Sequence, residues 1–129
     1  MPIFGRKRKR QEVDLEARSP QLGIKFKDLM VLDQLRRVGA DFSKPRHVIY
    51  YLYFKQQSQA VAASEEAAAR GFSVEVREPL PDYPEDWALV CELHDHVLGL
   101  EEVRDNTDMF EDLASAHNGV FDGWEASAD

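Results

Sequence analysis

The chain has 129 residues and a mass of 14.8 kDa, the size of one compact domain. Residues 1–70 hold 14 basic and 8 acidic side chains and residues 71–129 hold 2 and 16, so a net charge of -8 conceals a basic first half and a strongly acidic second half. This distribution excludes a clustered positive surface for duplex DNA beyond the N-terminus, and the single cysteine, Cys91, excludes an intrachain disulfide and fits a reducing compartment.

Residues 1–25 read as a disordered basic tail, followed by one domain over residues 26–126. Direct contact with nucleic acid is expected only through the block Arg6, Lys7, Arg8, Lys9 and Arg10, where like charges repel one another. Glu12, Asp14 and Glu16 stand where a signal peptide needs an apolar stretch, and no apolar run approaches the ~18 residues of a membrane span. A cytoplasmic protein without a membrane partner is therefore expected.

Leu29, Leu32 and Leu35, with Val31 and Val38, recur at helical spacing and predict a helix over residues 28–38, with Asp28 as its N-cap and Gly39 as its stop. Pro45 biases Lys44 toward extended backbone. The run from His47 to Phe54 is rich in β-branched and aromatic residues and predicts the strongest strand. Val48, Tyr50, Leu52 and Phe54 share one face; Ile49, Tyr51 and Tyr53 share the other. An alanine-rich helix over 57–70 presents a thin apolar face to a sheet. A second strand covers 72–77, with Phe72, Val74 and Val76 on one side. The three-proline loop 79–87 leads to a third strand over 87–97, a helix over 100–117 and a final strand over 120–125. The order β-α-β-β-α-β predicts an α+β, ferredoxin-like sandwich. Its four-stranded, mostly antiparallel sheet is covered by two helices, and the first helix is an addition.

Few residues point to chemistry. In CELHDHV, residues 91–97, alternation places Glu92, His94 and His96 on one strand face, a candidate set for zinc or ferrous iron that His47 would join if the two strands pair. Cys91 has no local activator, no serine sits in a G-x-S-x-G elbow, and no glycine-rich phosphate loop occurs. Tyr51 and Tyr53 lack the basic, glycine-containing context of an RNA-binding sheet. The expectation is a non-enzymatic protein without a cofactor.

DFSKPRHV followed by YYLYF, the alanine-rich helix ending in GF-VEVRE, and the terminal HNGVFDGWEA resemble the regulator of ribonuclease activity B family over roughly residues 28–126. The most specific pieces are Ser43 to Arg46 and Asp122 to Glu125. The resemblance implies a small acidic bacterial protein that inhibits ribonuclease E by protein–protein contact, on the same α+β fold and without catalytic residues. The RKRKR block lies outside the resemblance. Asp82, Glu85 and Asp86 of the loop and Asp105, Asp108, Glu111 and Asp112 of the last helix are the candidate protein-binding residues, mimicking RNA phosphates on a basic surface of a ribonuclease E-like endonuclease or another protein. Gly123 is expected to permit a bend, Trp124 to fill the core edge and Arg46 to pair with Asp122. Two alternatives stand beside this reading. One is a module that homodimerises through its open sheet face; the other is a small metal-binding enzyme using Glu92, His94 and His96.

Overall fold

A computed structural model describes residues 14–128; the basic block Arg6–Arg10 lies outside them. The elements are α1 (Phe26–Arg37), β1 (Arg46–Phe54), α2 (Gln57–Ala69), β2 (Ser73–Arg77), β3 (Trp87–His96), α3 (Leu100–Ala116) and β4 (Val120–Ala126). The strands form one open sheet in the order β2-β3-β1-β4, antiparallel at every pairing. The fold is α+β, as expected, with the two strand–helix–strand units interleaved so that β1 and β3 lie at the centre.

The alternation of β1 divides the molecule. Val48, Tyr50, Leu52 and Phe54 are no more than 1% exposed, while Ile49, Tyr51 and Tyr53 are only half-buried. Helix α2 closes on the sheet through Ala60, Ala63 and Ala67, whose side chains end at Cβ and permit close approach. Helix α3 buries Val103, Thr107, Phe110, Leu113 and Ala114, one stripe at helical spacing. Tyr50 and Phe110 pack with ring centroids 4.6 Å apart, and Phe72 meets Phe110 edge-on at 4.9 Å, both within the favoured range for aromatic pairs. The Tyr50 hydroxyl stays satisfied because Asn106 Nδ2 donates to it at 3.0 Å. On β2 only Phe72, just before the strand, is buried; Val76 is half-buried and Val74 exposed, because an edge strand is incompletely covered.

The C-terminal motif is structural. Tyr50 pairs with Trp124 and Leu52 with Phe121, so Asp122 and Gly123 together stand opposite Tyr51. Strict alternation would turn residues 121 and 124 to opposite faces. The bulge, with Gly123 at φ +102°, turns both Phe121 and Trp124 into the core. Gly119 serves close packing: a Cβ there would lie 2.4 Å from the Phe54 ring and 2.6 Å from the Tyr53 carbonyl oxygen.

Two expectations about individual residues change. Asp28 is not the N-cap of α1; it sits in the first turn, 2% exposed, and accepts a hydrogen bond from Trp124 Nε1 at 2.9 Å. Burial pushes its pKa up, and its second oxygen, Oδ2, has no partner among the described residues. Arg46 does not pair with Asp122. Its Nη1 donates to the carbonyls of Ser127 (2.7 Å) and Ala128 (3.1 Å), and its guanidinium lies 5.4 Å from the Phe42 ring centroid. It ties the chain's last residues to the start of β1.

The expected tail of residues 1–25 has a folded portion. Phe26 donates to the Ala17 carbonyl and Ser19 to the Ile24 carbonyl, and Ile24, 1% exposed, joins the core. Lys25 Nζ bonds Glu16 (3.1 Å) and Glu111, and Arg18 bonds Asp108. One apolar anchor and two paired cations hold residues 14–25 against α3.

Candidate functional site

The acidic residues singled out from sequence fall in two separate places. Asp105, Asp108 and Asp112 line a groove of about 480 Å³ between α2 and α3, together with Glu66, Arg70 and Met109. Their one-turn spacing on α3 turns them to one side, and α2 adds Glu66. Sequence reasoning missed Glu66, because nothing local shows that its part of α2 faces α3; the bond from Glu66 to His117, just after α3, records that proximity. The loop before β3 reaches the other side of the sheet through Leu80, Tyr83 and Asp86. There Asp86, with Leu80 and Tyr83, borders a cleft of about 680 Å³ whose floor is Tyr51, Tyr53, Ala88 and Val90.

Nor are the charges equally available. Asp108 is bound by Arg18, whose pKa it raises, and Glu111 is bound by Lys25, with Lys27 at 3.7 Å. Asp86 is held by Lys55 at 2.7 Å. Asp105 is 66% exposed and, among the described residues, forms an ion pair with the neighbouring Arg104 alone, at 3.0 Å. Asp82, Glu85 and Asp112 are exposed and form no ion pair among the described residues. The folded N-terminal segment thus neutralises Asp108 and Glu111 of α3, and Asp105 and Asp112 stay outside its ion pairs.

The histidine cluster differs from the alternation expected on β3. Ile49 pairs with Glu92 and Val48 with Leu93, but Arg46 pairs with His96, so the register slips between Leu93 and His96. Asp95 carries the slip at φ +51°. Asp visits the left-handed region more readily than most residues and is depleted in strands, which is the signal that could have found this bulge. His96 is thereby turned away to Glu102 of α3. His47 of β1 takes its place beside Glu92 and His94. His47 Nε2 lies 3.0 Å from Glu92 Oε1, His94 Nε2 lies 3.9 Å from Glu92 Oε2, and the two imidazoles stack with centroids 4.5 Å apart.

Cys91 is fully buried, and desolvation pushes its thiol pKa up to about 12, which leaves it protonated and unreactive at neutral pH. Among the described residues no helix is long and apolar enough to cross a membrane.

No curated protein matches the chain. The family model described as Regulator of ribonuclease activity B matches residues 27–126, from the first turn of α1 to the last residue of β4. That span takes in the sheet, the α2–α3 groove and the bulged D-G-W-E strand, and on it the chain belongs to the Regulator of ribonuclease activity B family.

Proposed function

We propose that the chain regulates a ribonuclease by contact rather than by catalysis, setting an acidic surface against the RNA-binding surface of a ribonuclease E-like endonuclease in the cytoplasm. The observation that carries this reading is the α2–α3 groove, where Glu66, Asp105, Asp108 and Asp112 converge around the partly buried Met109. Carboxylates along one helix side attract a surface built to hold phosphates, and an apolar floor gives a docked side chain somewhere to bury. Asp82, Glu85 and Asp86 lie on the loop side of the sheet and act as a second, outlying acidic contact. Arg18 and Lys25 limit what Asp108 and Glu111 contribute, so Asp105 and Asp112 carry most of the steering on α3.

The test is inhibition of RNA cleavage by a purified ribonuclease E-like enzyme, measured across a salt series. Exposed charges act over a Debye length of ~8 Å at physiological ionic strength, so inhibition is expected to weaken as salt rises. Asp105→Lys with Asp112→Lys is expected to weaken binding about tenfold or more, equivalent to about 1.4 kcal/mol. Inhibition indifferent to both salt and charge reversal would remove the acidic docking surface from consideration.

A second reading, self-association through the open sheet face, draws on the cleft floored by Tyr51, Tyr53 and Val90, with Leu80, Tyr83 and Val120 exposed at its edges. A monomer by light scattering at high concentration would dismiss it.

A further inference from the structure

We propose that His47, Glu92 and His94 form a binding site for one divalent transition-metal ion of the zinc class. Among the described residues this is the one group of three histidine, cysteine or acidic side chains whose ligand atoms all lie within 4.8 Å of one another. Tetrahedral bonds of 2.0–2.1 Å place ligand atoms roughly 3.3 Å apart; here His47 Nε2 lies 3.0 Å from one Glu92 oxygen and His94 Nε2 3.9 Å from the other, each close to that spacing. The two imidazoles are stacked at 14°, so metal binding requires their side chains to rotate until a nitrogen of each ring faces the Glu92 carboxylate. Two imidazoles and a carboxylate suit zinc and its neighbours in the first transition row and disfavour magnesium and calcium, which take oxygen ligands.

The backbone holds the three donors in place. Glu92 and His47 lie on the two central strands, whose pairing is set at Ile49–Glu92 and Val48–Leu93. The His47 backbone N–H is fixed by Ser127 Oγ at 3.0 Å. The bulge at Asp95 makes the selection. A non-glycine residue in the left-handed region is a local cost, and here it separates His94 from His96, keeping one beside Glu92 and sending the other to α3. Side-chain exposures of 38% for His47 and 57% for His94 leave room for water to complete the coordination shell. The bland alternative is a surface ion pair between His47 and Glu92 with His94 stacked beside it. It accounts for the 3.0 Å contact and requires no metal.

The untagged 129-residue chain titrated with zinc chloride in a calorimeter separates the two. One equivalent is expected to bind with micromolar or tighter affinity, and His47→Ala and His94→Ala are each expected to weaken it about tenfold or more. His96→Ala is expected to leave it unchanged. Cobalt(II) added to the wild type is expected to give the visible absorption of a nitrogen-ligated, low-coordinate site that His94→Ala abolishes. No binding at micromolar zinc, binding that survives both substitutions, or binding lost only with His96→Ala would each overturn the site. His94 is the most exposed of the three, so His94→Ala decides the matter if His47→Ala fails to fold. None of these readouts involves a ribonuclease, so the outcome is independent of the acidic docking surface.

Discussion

The two faces of the sheet come from the same strands and the same alternation, yet they hold different kinds of residue. The covered face is apolar and closed: Val48, Tyr50, Leu52, Phe54, Leu89 and Cys91 are at most 1% exposed beneath α2 and α3. The open face carries Tyr51, Tyr53, Glu75, Arg77, Glu92, His94 and Glu125, all partly or fully exposed; Tyr51 bonds Glu125 and His47 bonds Glu92 across strands, and Glu75 pairs with Arg77 along β2. Val90 is the exception, 2% exposed without a helix over it, between Tyr51 and Glu75 in the strand register. Stability therefore resides in one face, and titratable, ligand-capable groups collect on the other. The acidic groove lies outside both, on the outer side of the helices that do the covering.

Phe110→Ala tests this division most severely. Phe110 is 0% exposed and contacts Tyr50, Phe72 and Phe121. Truncating a buried phenylalanine removes its transfer energy and leaves a cavity, at about 3–5 kcal/mol. The expected result is a large fall in the denaturation midpoint, read by urea titration with circular dichroism. A loss below about 1 kcal/mol would mean that α3 is not what closes the covered face.

A smaller effect is expected at Asp28, where the covered face holds a charge. Desolvation raises its pKa, outweighing the Trp124 hydrogen bond and the nearby Lys27. A carboxyl whose pKa is higher folded than unfolded favours the fold fully only below its unfolded pKa, about 3.9. That contribution is lost as pH rises through the folded value. The wild type therefore carries at neutral pH a cost that it does not carry in acid, and one of the carboxyl oxygens is unpaired among the described residues. Asp28→Asn keeps an oxygen to accept from Trp124 Nε1 and removes the charge. Its melting temperature is expected to exceed that of the wild type at neutral pH, with the advantage shrinking toward pH ~4. An advantage that grew on acidification would reverse the assignment.

The same division explains what the sequence made legible. The alternation of β1, the alanine spacing of α2 and the stripe on α3 each depend on residues close in the chain, and these elements lie within about two residues of their expected bounds. The departures depend on distant pairing or on backbone torsion. Arg18 and Asp108 are 90 positions apart, so no local pattern shows that the basic segment neutralises part of the acidic helix. The exchange of His96 for His47 rests on one residue, Asp95, leaving regular strand geometry. The candidate docking residues were legible as negative charge, but their separation across the sheet became visible only with the strand order.

The smallest expected effect belongs to Tyr51→Phe, the open-face counterpart of Phe110→Ala. The Tyr51 hydroxyl donates to Glu125 Oε1 at 2.7 Å across the β1–β4 pair, in an exposed position. Water can replace that bond, so removing the hydroxyl is expected to change stability by no more than about 0.5 kcal/mol at neutral pH. Partial burial, and then the Glu125 carboxylate, push the phenol pKa up to about 12 from its ordinary 10.0. The raised value favours the folded wild type below pH 10 and less so as pH climbs through 12. Tyr51→Phe has no such group, so whatever difference separates the two proteins at neutral pH should shift toward the variant in strong alkali. A cost comparable to that of Phe110→Ala would mean that the open face is closed by packing of its own, and the division between the faces would fail.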